Sequence, residues 1–451
     1  MTRANSVSKK PAPPLGAAAL TALLTVLPVA SATAGVPSIP VKAANAVFAR
    51  AHALCSADDG RLWGVTLCGP LMLADPLTHA AIANVSVPGA KPVGEYYRFT
   101  LPVGAQIANA PFQYDGIRWA QVTWPLTGSA DEQAVTLMHE SFHRIQPQLG
   151  FIVKGARNNA ASISGSPALD TEMGRIWLRG EMHALRVALT SRGAARKKAL
   201  ADALAIRAYR DAILPSTVAP EHMLDIMEGL AESTGIDIGV PSARRLAYTL
   251  HDIAFAESAS SYARNFFYAI GPAYAELLDA IEPNWRHTVT TTTSIAALAA
   301  RADGIAVATP SAARARAILA RYGGAEIERT EAARAERQAL RDVKYRAEFV
   351  TGPTLRLPLK HFKIDFNPST VEPFGGYGSV YHHVRVIAPW GTIVVSNGDA
   401  MIAGDFSALT VASPSSLSGS TLRGTGWVLT LAPRTKIVAN PRKPGSYTVA
   451  P

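Results

Sequence analysis

His139-Glu140-Ser141-Phe142-His143 is the stretch on which the reading of this chain turns. It lies in a run from Ser129 to Gln146 whose apolar positions Val135, Met138, Phe142 and Ile145 recur near helical spacing, giving one core-facing stripe. Ser129 and Asp131 are N-cap candidates, and Ser129 with Glu132 three residues later fits a capping box. Pro147 stops the helix near Gln146. In a helix, positions i and i+4 lie one above the other on the same face, so His139 and His143 can place two imidazoles on one zinc ion. Glu140 sits beside them, within reach of a water held by that ion. This is the set of groups a zinc hydrolase needs. The competing reading is a core helix that happens to carry two hydrogen-bonded histidines.

The chain around this helix is large and apolar enough for two or three domains: 451 residues, 48% hydrophobic and 17% charged. Arg3, Lys9 and Lys10 precede an apolar run from Leu15 to Ala30, and Ala32-Thr33-Ala34 follows. That is the order of a secretory signal peptide; an uncleaved anchor is the alternative, although the run is short for a span. No later stretch is long enough to cross a bilayer. The formal charge of +10, less those three cations, leaves +7 on the mature chain. Basic residues alternate with Glu between Glu326 and Glu348, which is a solvated helix face and excludes a nucleic-acid stripe there. In an exported chain the two cysteines, Cys55 and Cys68, are expected to form one disulfide rather than remain two thiols.

The texture of the sequence changes twice. A short helix over Ala43 to Leu54 is followed by β-like runs (Trp63 to Leu67, Ala80 to Val87, Tyr96 to Leu101, Trp119 to Trp124) that form a small sheet leading into the HExxH helix. Helical patterns then follow at Asp170 to Leu189, Ala194 to Leu214, Pro220 to Ser233, Ser242 to Phe255, Tyr262 to Ile281 and Ser311 to Tyr322. From Val350 seven strand-like runs appear, with Val380 to Ile387 as one of them and Asn397-Gly398 as a hairpin turn between two others. Trp390 and Trp427 read as core anchors ahead of a sugar- or protein-binding face, and Gly375-Gly376-Tyr377-Gly378 as a bulge or turn ahead of a phosphate cradle. His382 and His383, adjacent on a strand, point to opposite faces and do not share an ion. The expected fold class is α+β: a small N-terminal sheet, a mainly helical zincin-like domain, and a C-terminal all-β sandwich or barrel. The expected boundaries are 1–34 signal peptide, 35–128 N-terminal part of the catalytic unit, 129–325 helical zinc-binding domain, 326–349 linking helix and 350–451 β domain. P-loop, dinucleotide and G-x-S-x-G signatures do not stand out.

A catalytic zinc takes three protein ligands and keeps a fourth position open. A metzincin would have its third histidine six residues after His143, where this chain has Leu149. A carboxylate on a second helix is the other solution, and the downstream candidates are Glu172, Glu181, His183 and Glu228. Glu181 lies on an apolar face with no Arg or Lys at i±3 or i±4. Met227-Glu228-Gly229-Leu230-Ala231-Glu232-Ser233 resembles the N-E-G-x-A-E segment of the gluzincin metallopeptidases, the thermolysin-like and aminopeptidase-like zinc enzymes. The resemblance implies Glu228 as third ligand and Glu232 as the acceptor that fixes a ligand histidine. It also implies Gly229 as the point where the ligand helix approaches the HExxH helix closely. The chain departs from the pattern at Met227 and Ser233, and 85 positions (228 − 143) separate His143 from Glu228, a gap that calls for an inserted helical pair. Tyr268-x-x-Gly271 resembles the Y-x-x-G segment of the aminopeptidase-like branch, whose Tyr donates to the tetrahedral intermediate; Tyr274 and Arg264 are further donors nearby.

These residues and the resemblance imply an exported zinc metallopeptidase acting on a peptide or protein. Zn2+ is held by His139, His143 and Glu228, Glu140 is the general base, and Tyr268 is the oxyanion donor. Part of the sheet is expected to offer an edge strand to an extended substrate. Two other functions fit the same residues: a non-catalytic exported binding protein on a zincin-like scaffold, and a zinc hydrolase of non-peptide amides.

Overall fold

The computed structural model describes residues 39–102, 104–152, 166–263, 265–366 and 371–450. The signal-peptide segment and Arg264 lie outside the described residues. The chain is α+β: a small sheet, a helical middle and a C-terminal β region.

After helix α1 (Val41–Asp58), six strands form the first sheet: β1 (Leu71–Ala74), β2 (Ala80–Ala83), β3 (Lys91–Val93), β4 (Tyr96–Thr100), β5 (Ala110–Tyr114) and β6 (Ile117–Thr123), in the order β3-β4-β2-β1-β6-β5. Pairing is antiparallel except between β1 and β6. Successive side chains point to opposite faces, and here both faces are covered. Leu71 and Leu73 join the main helical core, while Met72 and Ala74 join a second cluster with Phe99 and Trp119. This explains why β1 shows no polar–apolar alternation and escapes a reading by periodicity. The expected strand at Trp63 to Leu67 is a turn and loop instead.

Helix α2 (Ala130–Ile145) carries the HExxH segment and has both halves of the capping box between Ser129 and Glu132. It lays Leu137, Met138, Phe142 and Ile145 into the main core and contacts β6 and β5. Helices α3 (Glu172–Thr190) and α4 (Gly193–Ile213) pack against each other as the pair that the long gap after His143 requires. A continuous helical rod follows: α5 (Pro215–Leu224), a π turn (Asp225–Gly229) and α6 (Leu230–Gly239). Then come α7 (Ser242–Ser258), α8 (Phe267–Asp279), α9 (Ile295–Ala302), α10 (Ala312–Ala320) and the charged α11 (Gly324–Tyr345). No helix among the described residues is long and apolar enough to cross a membrane.

The C-terminal region holds twelve strands in two sheets, one of seven and one of five. Leu355, Leu357 and Val411 from the first sheet share one core with Val386, Ile393 and Leu429 from the second, and Trp390 and Trp427 are buried among them. Two sequence expectations need correction. The run Val380 to Ile387 is two strands, Gly378–Tyr381 in the seven-stranded sheet and Val384–Ala388 in the five-stranded one, with His382 and His383 at the crossover. Asn397-Gly398 does not close a hairpin: the strands on either side, Gly391–Val395 and Ala400–Ile402, belong to different sheets. Its turn instead packs on a second turn, with the Ser396 and Asn397 amides donating to the Gly426 carbonyl. Gly375–Tyr377 is a tight turn between paired strands, as expected.

Cys55 and Cys68 form a disulfide across 13 positions of sequence. Arg144, at the end of α2, donates to the Leu67 and Cys68 carbonyls, so the bridged loop braces the HExxH helix. Closing a loop of this length limits the unfolded chain by about 3 kcal/mol. Cys55→Ser/Cys68→Ser is expected to lose stability of that order relative to the oxidised wild type in a denaturant titration; equal midpoints would refute the bracing role.

Candidate metal centre

The ligand helices meet because glycine lets them. A Cβ on Gly235 would lie 2.7 Å from the Val135 carbonyl oxygen, and one on Gly239 would lie 2.8 Å from the Ala134 carbonyl carbon, so α6 packs on α2 backbone to backbone. The role given to Gly229 from sequence is therefore filled by Gly235 and Gly239. Gly229 faces α8 instead, where a Cβ on Gly271 would stand 2.5 Å from the Gly229 Cα. That second contact seats α8, and with it Tyr268, against the ligand segment.

Glu228 lies in the π turn, a widened turn found often at functional positions. His139 Nε2 and His143 Nε2 are 2.9 Å apart, and Glu228 Oε2 is 3.4 Å from each. All three residues are buried. Donors around a tetrahedral zinc at about 2.0–2.2 Å stand roughly 3.3–3.6 Å from one another, which the two Glu228 separations match, while the imidazole pair would open by about 0.4 Å to share the ion. Among the described residues it is one of two groups with ligand-type atoms close enough to hold a metal. The other, His52 with Cys55 and Cys68, has its sulfurs tied up in the disulfide.

Hydrogen bonding fixes which imidazole nitrogen is free. His139 Nδ1 is 2.8 Å from Glu232 Oε2, and a carboxylate only accepts, so Nδ1 carries the proton and Nε2 offers a lone pair. His143 Nδ1 is 2.8 Å from Gln146 Oε1. Two lone pairs would then face each other across 2.9 Å, a conflict that a cation between them removes. Without a metal, a proton serves the same end. Burial opposes charging of both rings, but Glu228, joined at His139 by Glu232, outweighs it and raises both imidazoles above their usual range. Glu228 is correspondingly held below the usual carboxylate range: burial opposes this, and the two histidines prevail.

Glu140 is buried, and its Oε2 has no hydrogen-bond partner. Desolvation pushes its carboxyl up to about 7, against the pull of His143 and His139. An orphaned buried carboxylate oxygen beside a metal-type trio is suited to hold and pass a proton. Tyr268 is 37% exposed, and its ring centroid lies 6.0 Å from that of His139.

Compared with family models, with curated proteins and with solved structures, the chain gives no match. The rival residues are accounted for by the structure itself. Glu181 is fully buried and bound by Arg210 and Arg207 of α4 and by the Tyr274 hydroxyl of α8. Arg210 also binds Glu221, and Arg207 binds Asp225 at 2.7 Å, at the start of the π turn. Tyr274 is thus spent in this network and does not face the metal trio. His183 bonds Glu257 and the Tyr322 carbonyl, and Glu172 is exposed at the first turn of α3. Gln146 escapes a reading from sequence, since an amide three residues past a histidine carries no signal of its own.

Glu228→Ala is expected to remove most bound divalent metal. Glu181→Ala is expected to keep the metal on folded protein while lowering stability by about 3–5 kcal/mol, because it takes one of its carboxylate partners from each of two buried guanidinium groups. Metal analysis after gel filtration, run beside thermal unfolding, reads both; the reverse pattern would move the third ligand to Glu181.

Proposed function

We propose that this chain is an exported zinc metallopeptidase of the gluzincin type. The observation that carries the proposal is the convergence of His139 Nε2, His143 Nε2 and Glu228 Oε2 beside the partnerless carboxylate of Glu140. The donor set suits zinc, since two neutral imidazoles and one carboxylate leave a fourth position open. The disulfide supports an oxidising destination for the chain.

When bound, zinc lowers the pKa of a water in its open position and polarises the scissile carbonyl. Glu140 accepts the proton of the attacking water and passes it to the departing amine. Its raised pKa suits both steps, because a base poised near neutrality can also give the proton back. Glu232 and Gln146 keep the two imidazoles turned with Nε2 inward. Tyr268, partly exposed and with its ring 6.0 Å from that of His139, donates to the developing oxyanion.

A peptide substrate is favoured by β5. It is an edge strand of the first sheet, and it contacts α2. Its outward backbone groups, apart from the missing N–H of Pro111 and the Tyr114 carbonyl that accepts from Trp119 Nε1, can pair with an extended chain laid beside the HExxH helix.

Glu140→Gln is expected to cut hydrolysis of a mixed peptide library by on the order of 10²- to 10⁴-fold, with zinc content and thermal stability near wild type. Tyr268→Phe is expected to lower turnover less. Wild-type cleavage by Glu140→Gln would move the activity away from this site. A stoichiometric zinc with no peptide cleaved in wild type would favour a non-peptide amide or a binding role.

A further inference from the structure

Gln146 is 1% exposed and bonds to one member of the metal trio and to the turn that carries another. Its Oε1 is 2.8 Å from His143 Nδ1. Its Nε2 donates to the Met227 carbonyl at 2.7 Å and lies 3.5 Å from the Ile226 carbonyl. Met227 and Ile226 both belong to the π turn that presents Glu228.

The orientation of this amide is forced. Carbonyl oxygens only accept, so the NH2 group must face Met227 and Ile226. The amide oxygen must then face His143, and His143 must carry its proton on Nδ1. The position of one backbone carbonyl in the rod α5–π–α6 thus selects the tautomer of an imidazole on α2. The link also runs the other way. A π turn widens the regular helical ladder, and a carbonyl oxygen has two lone pairs, so carbonyls within it can accept a donor from a neighbouring helix. Gln146, the C-cap of the helix that carries both histidines, is that donor.

We infer that Gln146 is a positioning residue that couples His143 to Glu228: it fixes the lone pair of the one and the backbone seat of the other, so the two ligands are presented to a metal as a unit. Outer partners that orient metal ligands typically contribute 10- to 100-fold in affinity. The inference rests on the metal-binding half of the proposed function and not on its peptidase half.

The test is a double-mutant cycle read as zinc affinity by chelator competition, on wild type, Gln146→Met, Glu228→Ala and the double variant. Gln146→Met has similar volume and neither hydrogen-bonding group, and Gln146→Leu stands in if it does not fold. Gln146→Met is expected to weaken zinc binding about 10- to 100-fold. In the Glu228→Ala background the same change is expected to cost clearly less, since one of the two ligands that Gln146 seats is already gone. Glu331→Gln is the control: Glu331 is buried on α11 against Arg175, Arg179 and Arg334, outside the network that holds the Glu228 turn, so the variant is expected to be destabilised yet keep wild-type affinity on folded protein. Unchanged affinity in Gln146→Met, or a loss equal in both backgrounds, overturns the inference. A chain that binds zinc in this coupled way yet cleaves no peptide leaves the inference standing and removes the peptidase reading. Peptide cleavage with uncoupled zinc binding does the opposite.

Discussion

The distance between α2 and α6 is the constraint on which the centre depends. At ordinary helix separations Glu228 and Glu232 would stand too far from His139 and His143 to share an ion or a proton with them. Gly235 and Gly239 remove the side chains that would hold the backbones apart. Each glycine costs the helix about 1 kcal/mol relative to alanine. The rod around them offsets this by burial, with Leu230, Ala231 and Ile236 inside. Glu228 and Glu232 are one turn apart, so the spacing that delivers one carboxylate to the metal position delivers the other to the far nitrogen of His139.

Charge then determines how firmly that rod is held. Glu181, Glu221 and Asp225 are buried against Arg207 and Arg210, away from water. Such groups give little net stability, but each is costly to leave unpartnered, so the network has few alternative arrangements. Because Asp225 opens the π turn and Arg207 sits on α4, the network ties the ligand turn to the helical pair α3–α4. That pair, which reads from sequence as a mere insertion, supplies the cations that anchor the Glu228 segment.

What is legible in the sequence follows from how local each signal is. The α2 helix, its capping box and the α3 to α8 pattern are readable because capping and 3.6-residue periodicity are properties of neighbouring residues. The trio is readable in part for the same reason, with Glu228 preferred through its resemblance to a known segment. Glu181 stands as a rival because its partners, Arg207 and Arg210, lie 26 and 29 positions away, beyond any helical window. The role of Gly229 is misplaced because a glycine advertises a close approach without saying to what. In the β region Leu355 and Trp427 are readable as strand residues, while Lys363–Phe366, Val371–Phe374 and Thr421–Gly424 are not, having few buried residues to alternate. The crossover at His382-His383 is hidden because adjoining strands of two sheets read as one run.

The bare helix crossing also makes the tolerance of this chain to change uneven. On α11, Leu340 and Val343 are exposed and the charged surface around them can drift through many residue types with little effect on folding. At Gly235 and Gly239 even the smallest side chain drives into backbone, which cannot swing aside as a side-chain tip can. Divergence within a lineage would therefore spare those two positions as strictly as the histidines, for reasons of space rather than chemistry. A comparison that weights only the reactive residues would miss half of what identifies this centre.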